Sequence, residues 1–313
     1  MILDIRTHKM ILMIVGGTFL LIILTLLLFK FVLIDNKTEI SDSDDSPSFG
    51  EYLSWEKVNK IFPKYAYATV VDLDTGLKFQ VQRRGGSSHV DAQPLTAADS
   101  ATMKTIYQGQ WSWKRKAVLV QLYSGRMIAA SMNGMPHGRG AIEQNDFDGH
   151  FCIHFRDCKT HGSKKTDLAH QMMIWKAANV FEQQLQSKNR EDIIAIFFTA
   201  INEHELNMAG KLIGTDIDVK PLLLELAAIA DIKADEIRHI EGNKYSVEVR
   251  VVYKDSKREL RKNLIIFTAN QEPYWRIEAD SIIPLLDKNT GVVSRSSMDS
   301  HVDEEDLITN HLI

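Results

Sequence analysis

The first strong pattern along the chain is an apolar run near the N-terminus. Residues 10–29 contain no charged side chain, and Lys30 is followed by the apolar residues 31–34. About 20 apolar residues in an α-helix cross the roughly 30 Å hydrocarbon core of a bilayer, so residues 10–34 are predicted to form a transmembrane helix. A signal peptide is the alternative, but the length of the run and the lack of a small-residue cleavage pattern favour an uncleaved anchor.

Charges on either side of this run predict its orientation. Arg6 and Lys9 precede it, and an acidic stretch follows it. By the positive-inside tendency, residues 1–9 are expected in the cytoplasm and the bulk of the chain outside it, on a single-pass membrane protein. Residues 35–50 are polar and acidic without an apolar period, which is typical of a linker.

Alternating apolar and polar residues then predict strands within residues 51–186. YAYATVVDLD and LKFQVQRR flank Asp74-Thr75-Gly76, a hairpin turn signal. KAVLVQLY and RMIAASMN form a second predicted hairpin, and Thr96 with Asp99 predicts a capped helix between the two. The loop GGSSHVDAQ between them carries His89 and Asp91, which either orient an imidazole in a cleft or, as the preferred interpretation, lie on the surface.

The pattern changes to helical spacing over residues 167–185, which predicts an amphipathic helix at the end of the first domain. Residues 187–286 contain two helical segments followed by three strand-like runs, the order of an α+β domain. That order, with EPYWRIEAD as closing strand, resembles the nuclear-transport-factor-2-like (NTF2-like) domains, in which a bent sheet wraps a helix. Residues 287–313 form a polar tail.

The stretch GHFCIHF carries the candidate chemistry. In a strand, His150, Cys152 and His154 share one face, while the residues between them share the other. A thiol with a nearby imidazole can act as a nucleophile, and His137 in the glycine-rich loop NGMPHGRG is a further partner.

Two alternatives use the same residues. Zinc is one, with donors from His150, Cys152, His154, Cys158 and His161, although strand spacing does not form the usual zinc knuckle. A disulfide between Cys152 and Cys158 is the other, because an exported domain permits one.

His137-Gly138, Cys152 about fifteen residues later and His150 two before it resemble the signature of L,D-transpeptidase catalytic domains, which cross-link bacterial peptidoglycan. The resemblance implies that Cys152 is the acyl-accepting nucleophile, His137 the general base and the amides of 149–152 the oxyanion donors. Gly149, Phe151 and His154 stand where that family has Ser or Thr, Gly and Arg.

The resulting expectation is an α+β protein: a transmembrane helix, a mainly β L,D-transpeptidase-like domain and an NTF2-like domain. Its expected function is cysteine acyl transfer on peptidoglycan stem peptides, without a cofactor or a metal. The candidate catalytic residues are Cys152, His137, His150 and His154, and the candidate substrate-binding residues are Asn133, Gly138, Gly149 and Trp113.

The alternative function is a non-catalytic envelope-binding or assembly module, with a structural zinc at the histidine and cysteine cluster. The distal domain is expected to contact envelope proteins. A net charge of −4 does not indicate nucleic-acid binding.

Overall fold

The computed structural model describes residues 49–160, 164–214 and 218–293. From Phe49 onward the chain forms one compact unit. The expected membrane helix at 10–34 and most of the polar tail lie outside the described residues. Within these ranges, the helices are too short or too polar to cross a membrane.

The described chain alternates short helices with eleven strands. The α-helices are α1 (Trp55–Ile61), α2 (Ala97–Ile106), α3 (Leu168–Ala177), α4 (Phe181–Leu185), α5 (Arg190–Asn202), α6 (Leu206–Lys211) and α7 (Lys220–Leu226), and a 3-10 helix spans Ala279–Leu285. The strands are β1 (Tyr67–Asp72), β2 (Lys78–Gly85), β3 (Val90–Pro94), β4 (Lys116–Leu122), β5 (Met127–Met132), β6 (Phe151–His154), β7 (Ile229–Glu241), β8 (Lys244–Tyr253), β9 (Glu259–Gln271), β10 (Tyr274–Ile277) and β11 (Val292–Val293).

The first six strands close into an antiparallel barrel in the order β1-β2-β3-β6-β5-β4. Alternate residues of every strand point inward and form one apolar core, to which β6 contributes Phe151 and Ile153 and the following Phe155. Closure pairs both edges of each strand, so backbone donors and acceptors of the sheet are not left at an open edge.

The expected fold class is therefore wrong. The described chain is α+β, but it is built on a closed six-stranded barrel and a second sheet, and its helices do not include a membrane span. The two predicted hairpins form, but β3 is absent from the prediction, in which VDAQ belongs to the surface loop GGSSHVDAQ and Pro94 begins the helical segment. Without β3, the partner that lets β6 complete the barrel is missing from the prediction.

Helix α3 joins the barrel to the rest of the chain. Its apolar residues pack in one core with Leu119 and Ala129, on the outer face of β4 and β5, and with residues of α5. The long helix predicted over 167–185 is divided in two, because Asn179 adopts a left-handed backbone conformation (φ +55°) between α3 and α4. The helix thus covers the barrel from β4 and β5 to the end of β6, where its His170 stacks on His154.

The second sheet has the order β10-β9-β8-β7, with β11 added to β9. One face packs on α5 through residues such as Val247, Val249 and Val251. The sequence prediction missed β7, because seven of its thirteen side chains are exposed, five of them charged, and only Ile229 and Ile232 are buried. An exposed strand lacks the apolar alternation by which a strand is recognised.

Phe151 should be among the largest contributors to barrel stability. Its ring is fully buried and packs on Phe79 and Phe147 at centroid distances of 6.1 and 5.9 Å. We expect Phe151→Ala to lower the free energy of unfolding by about 3–5 kcal/mol, measured by urea denaturation. Tyr67→Ala, at a position 58% exposed on β1, should cost less than about 1 kcal/mol. Equal losses in the two variants would contradict this view of the core.

Candidate active site around Cys152

The loop that leads into β6 is closed by a backbone pair between two histidines. The His137 amide donates to the His150 carbonyl (2.9 Å), and the His150 amide donates to the His137 carbonyl (2.8 Å). Gly149 has a φ of +109°, and a Cβ there would lie 2.3 Å from the His137 carbonyl oxygen. A side chain at 149 is incompatible with this approach, so glycine allows His137 to lie beside the start of β6.

Cys152 and His137 form a thiol–imidazole pair. Cys152 Sγ lies 3.3 Å from His137 Nε2. On the other side of the ring, His137 Nδ1 lies 2.8 Å from the Met135 carbonyl oxygen. A carbonyl can only accept, so Nδ1 carries the proton and Nε2 presents its lone pair to the thiol. The loop thus holds the imidazole in the tautomer that can accept a proton from Cys152.

Trp113 covers the outer side of this pair. Its ring centroid lies 5.1 Å from that of His137, with the rings tilted by 41°. The preceding Ser112 accepts a hydrogen bond from the Gly134 amide (2.8 Å), which ties the tryptophan segment to the histidine loop. Cys152 itself is only 2% exposed, so the approach to its sulfur runs past the half-buried Trp113 and His137.

Asp91 links two further histidines to the site. It is the cross-strand partner of Cys152 in the β3–β6 ladder. One carboxylate oxygen lies 3.3 Å from His89 Nε2 and 3.9 Å from His150 Nε2. His89 is fully buried, with Nδ1 2.8 Å from the Lys159 carbonyl oxygen, so the preferred interpretation of His89 as a surface residue is wrong. His89 directly precedes β3, which was not recognised from the sequence, and it is held there by Lys159 and Asp91.

His154 belongs to a buried stack of imidazoles. Its ring lies between those of His89 and His170, at centroid distances of 4.4 and 3.8 Å and nearly parallel to both. Burial, and then the neighbouring His170 and His89, hold the pKa of His154 well below its ordinary value. The neutral ring therefore does not replace the cation that an arginine would supply at this position. His170, whose Nδ1 contacts Ser131 Oγ at 2.9 Å, was not recognised from the sequence.

Cys158 lies apart from the site. It packs in the barrel core with Phe155, whose amide donates to Cys158 Sγ at 3.2 Å, whereas Cys152 points to the outside of the same wall. Both cysteines are free thiols, so the disulfide alternative does not hold. Burial raises the pKa of Cys158 to about 12. Its thiol is therefore a poor nucleophile and a poor metal donor, and His161, the last of the zinc candidates, lies outside the described residues.

Three of the expected substrate contacts have different outcomes. The amide of His150, one of the expected oxyanion donors, is already bonded to the His137 carbonyl. Asn133 follows β5, is buried beside the β6 backbone and has no partner for its amide oxygen within the described residues. Gly138 has a φ of +61°, and a Cβ there would lie 2.5 Å from the His150 ring, so this glycine admits His150 to the site.

A polar cleft of about 750 Å³ lies where the barrel meets the helices. Its lining includes Trp111, Lys114, Lys176 and Glu205. Lys176 Nζ contacts Glu205 and Asp74 at 2.8 and 2.5 Å. The charges come from segments far apart in sequence, so only the tertiary structure brings them into one cleft.

The buried histidine stack should make stability depend on pH. Burial also holds the pKa of His170 well below its ordinary value, with further lowering by Arg115 and His89. Below about pH 6.5 the unfolded chain takes up protons on these histidines, whereas the folded chain excludes them. The free energy of unfolding therefore decreases as the pH falls below this value. We expect a loss of about 1.4 kcal/mol per pH unit for each of His154 and His170, measured by urea denaturation.

His170→Gln provides the comparison, because glutamine retains a polar contact for Ser131 without titrating. As the pH falls, the free energy of unfolding of this variant should decrease by about 1.4 kcal/mol less per pH unit than that of the unaltered protein. His239→Gln, at an exposed position, should leave the dependence unchanged. If the stability of His170→Gln falls with pH as steeply as that of the unaltered protein, His170 is not a source of the pH dependence.

Gly149 should control the reactivity of Cys152 through His137. Gly149→Ala places a methyl group against the His137 carbonyl and shifts the imidazole. We expect alkylation of Cys152 by iodoacetamide at pH 7 to slow by about 10- to 100-fold, as followed by mass spectrometry. Gly125→Ala has a similar positive φ (+82°) but meets no atom within 4 Å, so it should leave the rate unchanged. Equal effects of the two substitutions would mean that backbone strain alone is responsible.

Comparison with protein-family models, with curated proteins and with solved structures finds no match for this chain. The chemistry of the site therefore has to be derived from its geometry. That geometry is a thiol in contact with an imidazole of defined tautomer, an adjacent carboxylate between two more imidazoles, and an indole at the entrance.

Proposed function

We propose that this protein is a cysteine-dependent acyltransferase that acts on peptides. The observation that supports it most directly is the 3.3 Å contact between Cys152 Sγ and His137 Nε2, with Nδ1 of the same ring bonded to a backbone carbonyl. A nucleophile, its base and a group that orients the base are the parts that covalent acyl transfer requires. Here the orienting group is the Met135 carbonyl.

In the proposed reaction, His137 Nε2 accepts the proton of the Cys152 thiol, and the thiolate attacks the carbonyl carbon of a substrate amide. The tetrahedral intermediate collapses when the protonated His137 gives its proton to the leaving amine, which leaves a thioester on Cys152. An acceptor amine then attacks the thioester, His137 takes its proton, and a new amide and the free thiol result. Water in place of the amine would give hydrolysis. In both half-reactions, one imidazole carries the proton.

Access to the thiol imposes a condition on this reaction. Because Cys152 is almost fully buried, a substrate carbonyl reaches the sulfur only if Trp113 or the 134–142 loop is displaced. Displacement of an indole and closure over the bound peptide would also exclude water, which favours transfer to an amine over hydrolysis. Trp113 is thus a proposed gate and substrate contact.

For the substrate we propose the stem peptides of peptidoglycan, as the resemblance of the His137 to Cys152 segment implies. Such peptides carry both carboxylates and amines. The cleft lined by Lys114, Lys176 and Glu205 offers positively and negatively charged side chains. Trp113 lies between Trp111 and Lys114, which both line this cleft. We propose the protein's location at the outer face of a membrane from the apolar run 10–34 and the charges on either side of that run.

Thiol reactivity tests the proposed pair. A free thiol with a pKa near 8.5 is only about 3% thiolate at pH 7, whereas a proton shared with His137 raises that fraction. We expect iodoacetamide to label Cys152 at least about tenfold faster than Cys158, and His137→Gln to slow labelling of Cys152 at least about tenfold. Mass spectrometry of the separate peptides gives both rates.

The transfer reaction itself is tested with muropeptides carrying tetrapeptide stems. Cross-linked product should form with the unaltered chain and be lost in Cys152→Ala, while Cys158→Ala, which removes the other thiol from the barrel core, serves as the control for loss of a cysteine. Full cross-linking by Cys152→Ala would refute the proposal.

A further inference from the structure

The face around Cys152 contains more metal donors than an acyltransferase needs. His137, His150 and Cys152 each offer one ligand atom, and these three atoms lie within 4.8 Å of one another. In a second group, the ligand atoms of His89, Cys152 and His154 also lie within 4.8 Å of one another. The two groups share the thiol of Cys152.

The first group has the features of a prepared metal site. His137 Nδ1 and His150 Nδ1 both lie against backbone carbonyls, those of Met135 (2.8 Å) and Arg139 (3.2 Å). Metal-binding histidines usually have their second nitrogen held in this way, because it fixes the ring and its tautomer. The Nε2 atoms are therefore the ones available as ligands. The backbone pair between His137 and His150 keeps the two rings 4.5 Å apart.

Distances and access also favour this group over the second. Adjacent ligand atoms of a tetrahedral zinc site are about 3.3–3.8 Å apart, and Cys152 Sγ already lies 3.3 Å from His137 Nε2. His137 and His150 are half-buried, so an ion can reach them from solvent, whereas His89 and His154 are both buried. Asp91, 3.9 Å from His150 Nε2, places a carboxylate beside the site.

We propose that Cys152, His137 and His150 bind one Zn²⁺ ion, with the fourth position left to water, and that the bound ion reversibly blocks the thiol. A thiolate with imidazoles is a donor set that zinc prefers, and three protein ligands with an open position distinguish this site from a closed structural one. A regulatory role for this block rests on the proposed function, whereas zinc binding itself does not.

Zinc binding replaces the proton of the Cys152 thiol with the metal ion. When the Zn–S bond forms, the thiol proton leaves to the buffer, and no group is oxidised or reduced. The ion then occupies the lone pair of His137 that would accept the thiol proton. Zinc binding and nucleophilic attack therefore exclude each other, and removal of the ion by a chelator restores the free pair.

The experiment uses purified protein freed of metal with EDTA and then titrated with ZnCl₂ against a chromophoric chelator. We expect one ion per chain, and a thiolate charge-transfer band when Co²⁺ replaces zinc. Loss of a ligand should weaken binding at least as much as loss of an outer-shell partner, about 10- to 100-fold. Cys152→Ser, His137→Gln and His150→Gln should each do so, while Cys158→Ser should leave the affinity within about twofold.

The block is measured separately by iodoacetamide labelling of Cys152. Saturating zinc should slow labelling at least about tenfold, and EDTA should restore it. If the protein binds no more zinc than Cys152→Ser does, or if His150→Gln leaves the affinity unchanged, the site is refuted. If zinc binds as expected but labelling without zinc is no faster than that of a free thiol, the acyltransferase proposal fails and the metal site stands.

Discussion

The packing of β6 inside a closed barrel is the constraint on which the rest of the site depends. Phe151, Ile153 and Phe155 fill the barrel core, and since strand residues alternate, Cys152 and His154 must point outward. A shift of one residue in the register would turn Cys152 and His154 into the apolar barrel core and the phenylalanines out of it, so the register is fixed by packing. Core packing therefore determines where the thiol is.

Outside the barrel, backbone carbonyls arrange the polar groups. The Met135, Arg139 and Lys159 carbonyls each contact Nδ1 of one histidine, at positions 137, 150 and 89 respectively. Each contact turns Nε2 toward Cys152 or Asp91. The site is thus organised by loop conformation more than by ion pairs.

The same arrangement suits both of the chemistries that we propose for Cys152. A lone pair aimed at a thiol serves a proton and a metal ion equally well, since both need a neutral imidazole of fixed tautomer. Burial then divides the histidines: His154 and His170 are held neutral in a dry stack, whereas His137 and His150 stay within reach of solvent. A ligand from solvent can therefore reach the second pair more readily than the first.

The sequence by itself determined the local features: the two hairpins, the capped helix from Thr96, and the division of GHFCIHF into an apolar and a polar face. These follow from periodicity and turn chemistry, which act between near neighbours. The tertiary structure decided the closure of the barrel, the burial of His89 and His170, the separation of Cys158 from Cys152 and the mixed-charge cleft. Each of these depends on contacts between distant segments, such as β3 with β6. The alternation of apolar and polar residues along a strand does not specify which other strand it pairs with.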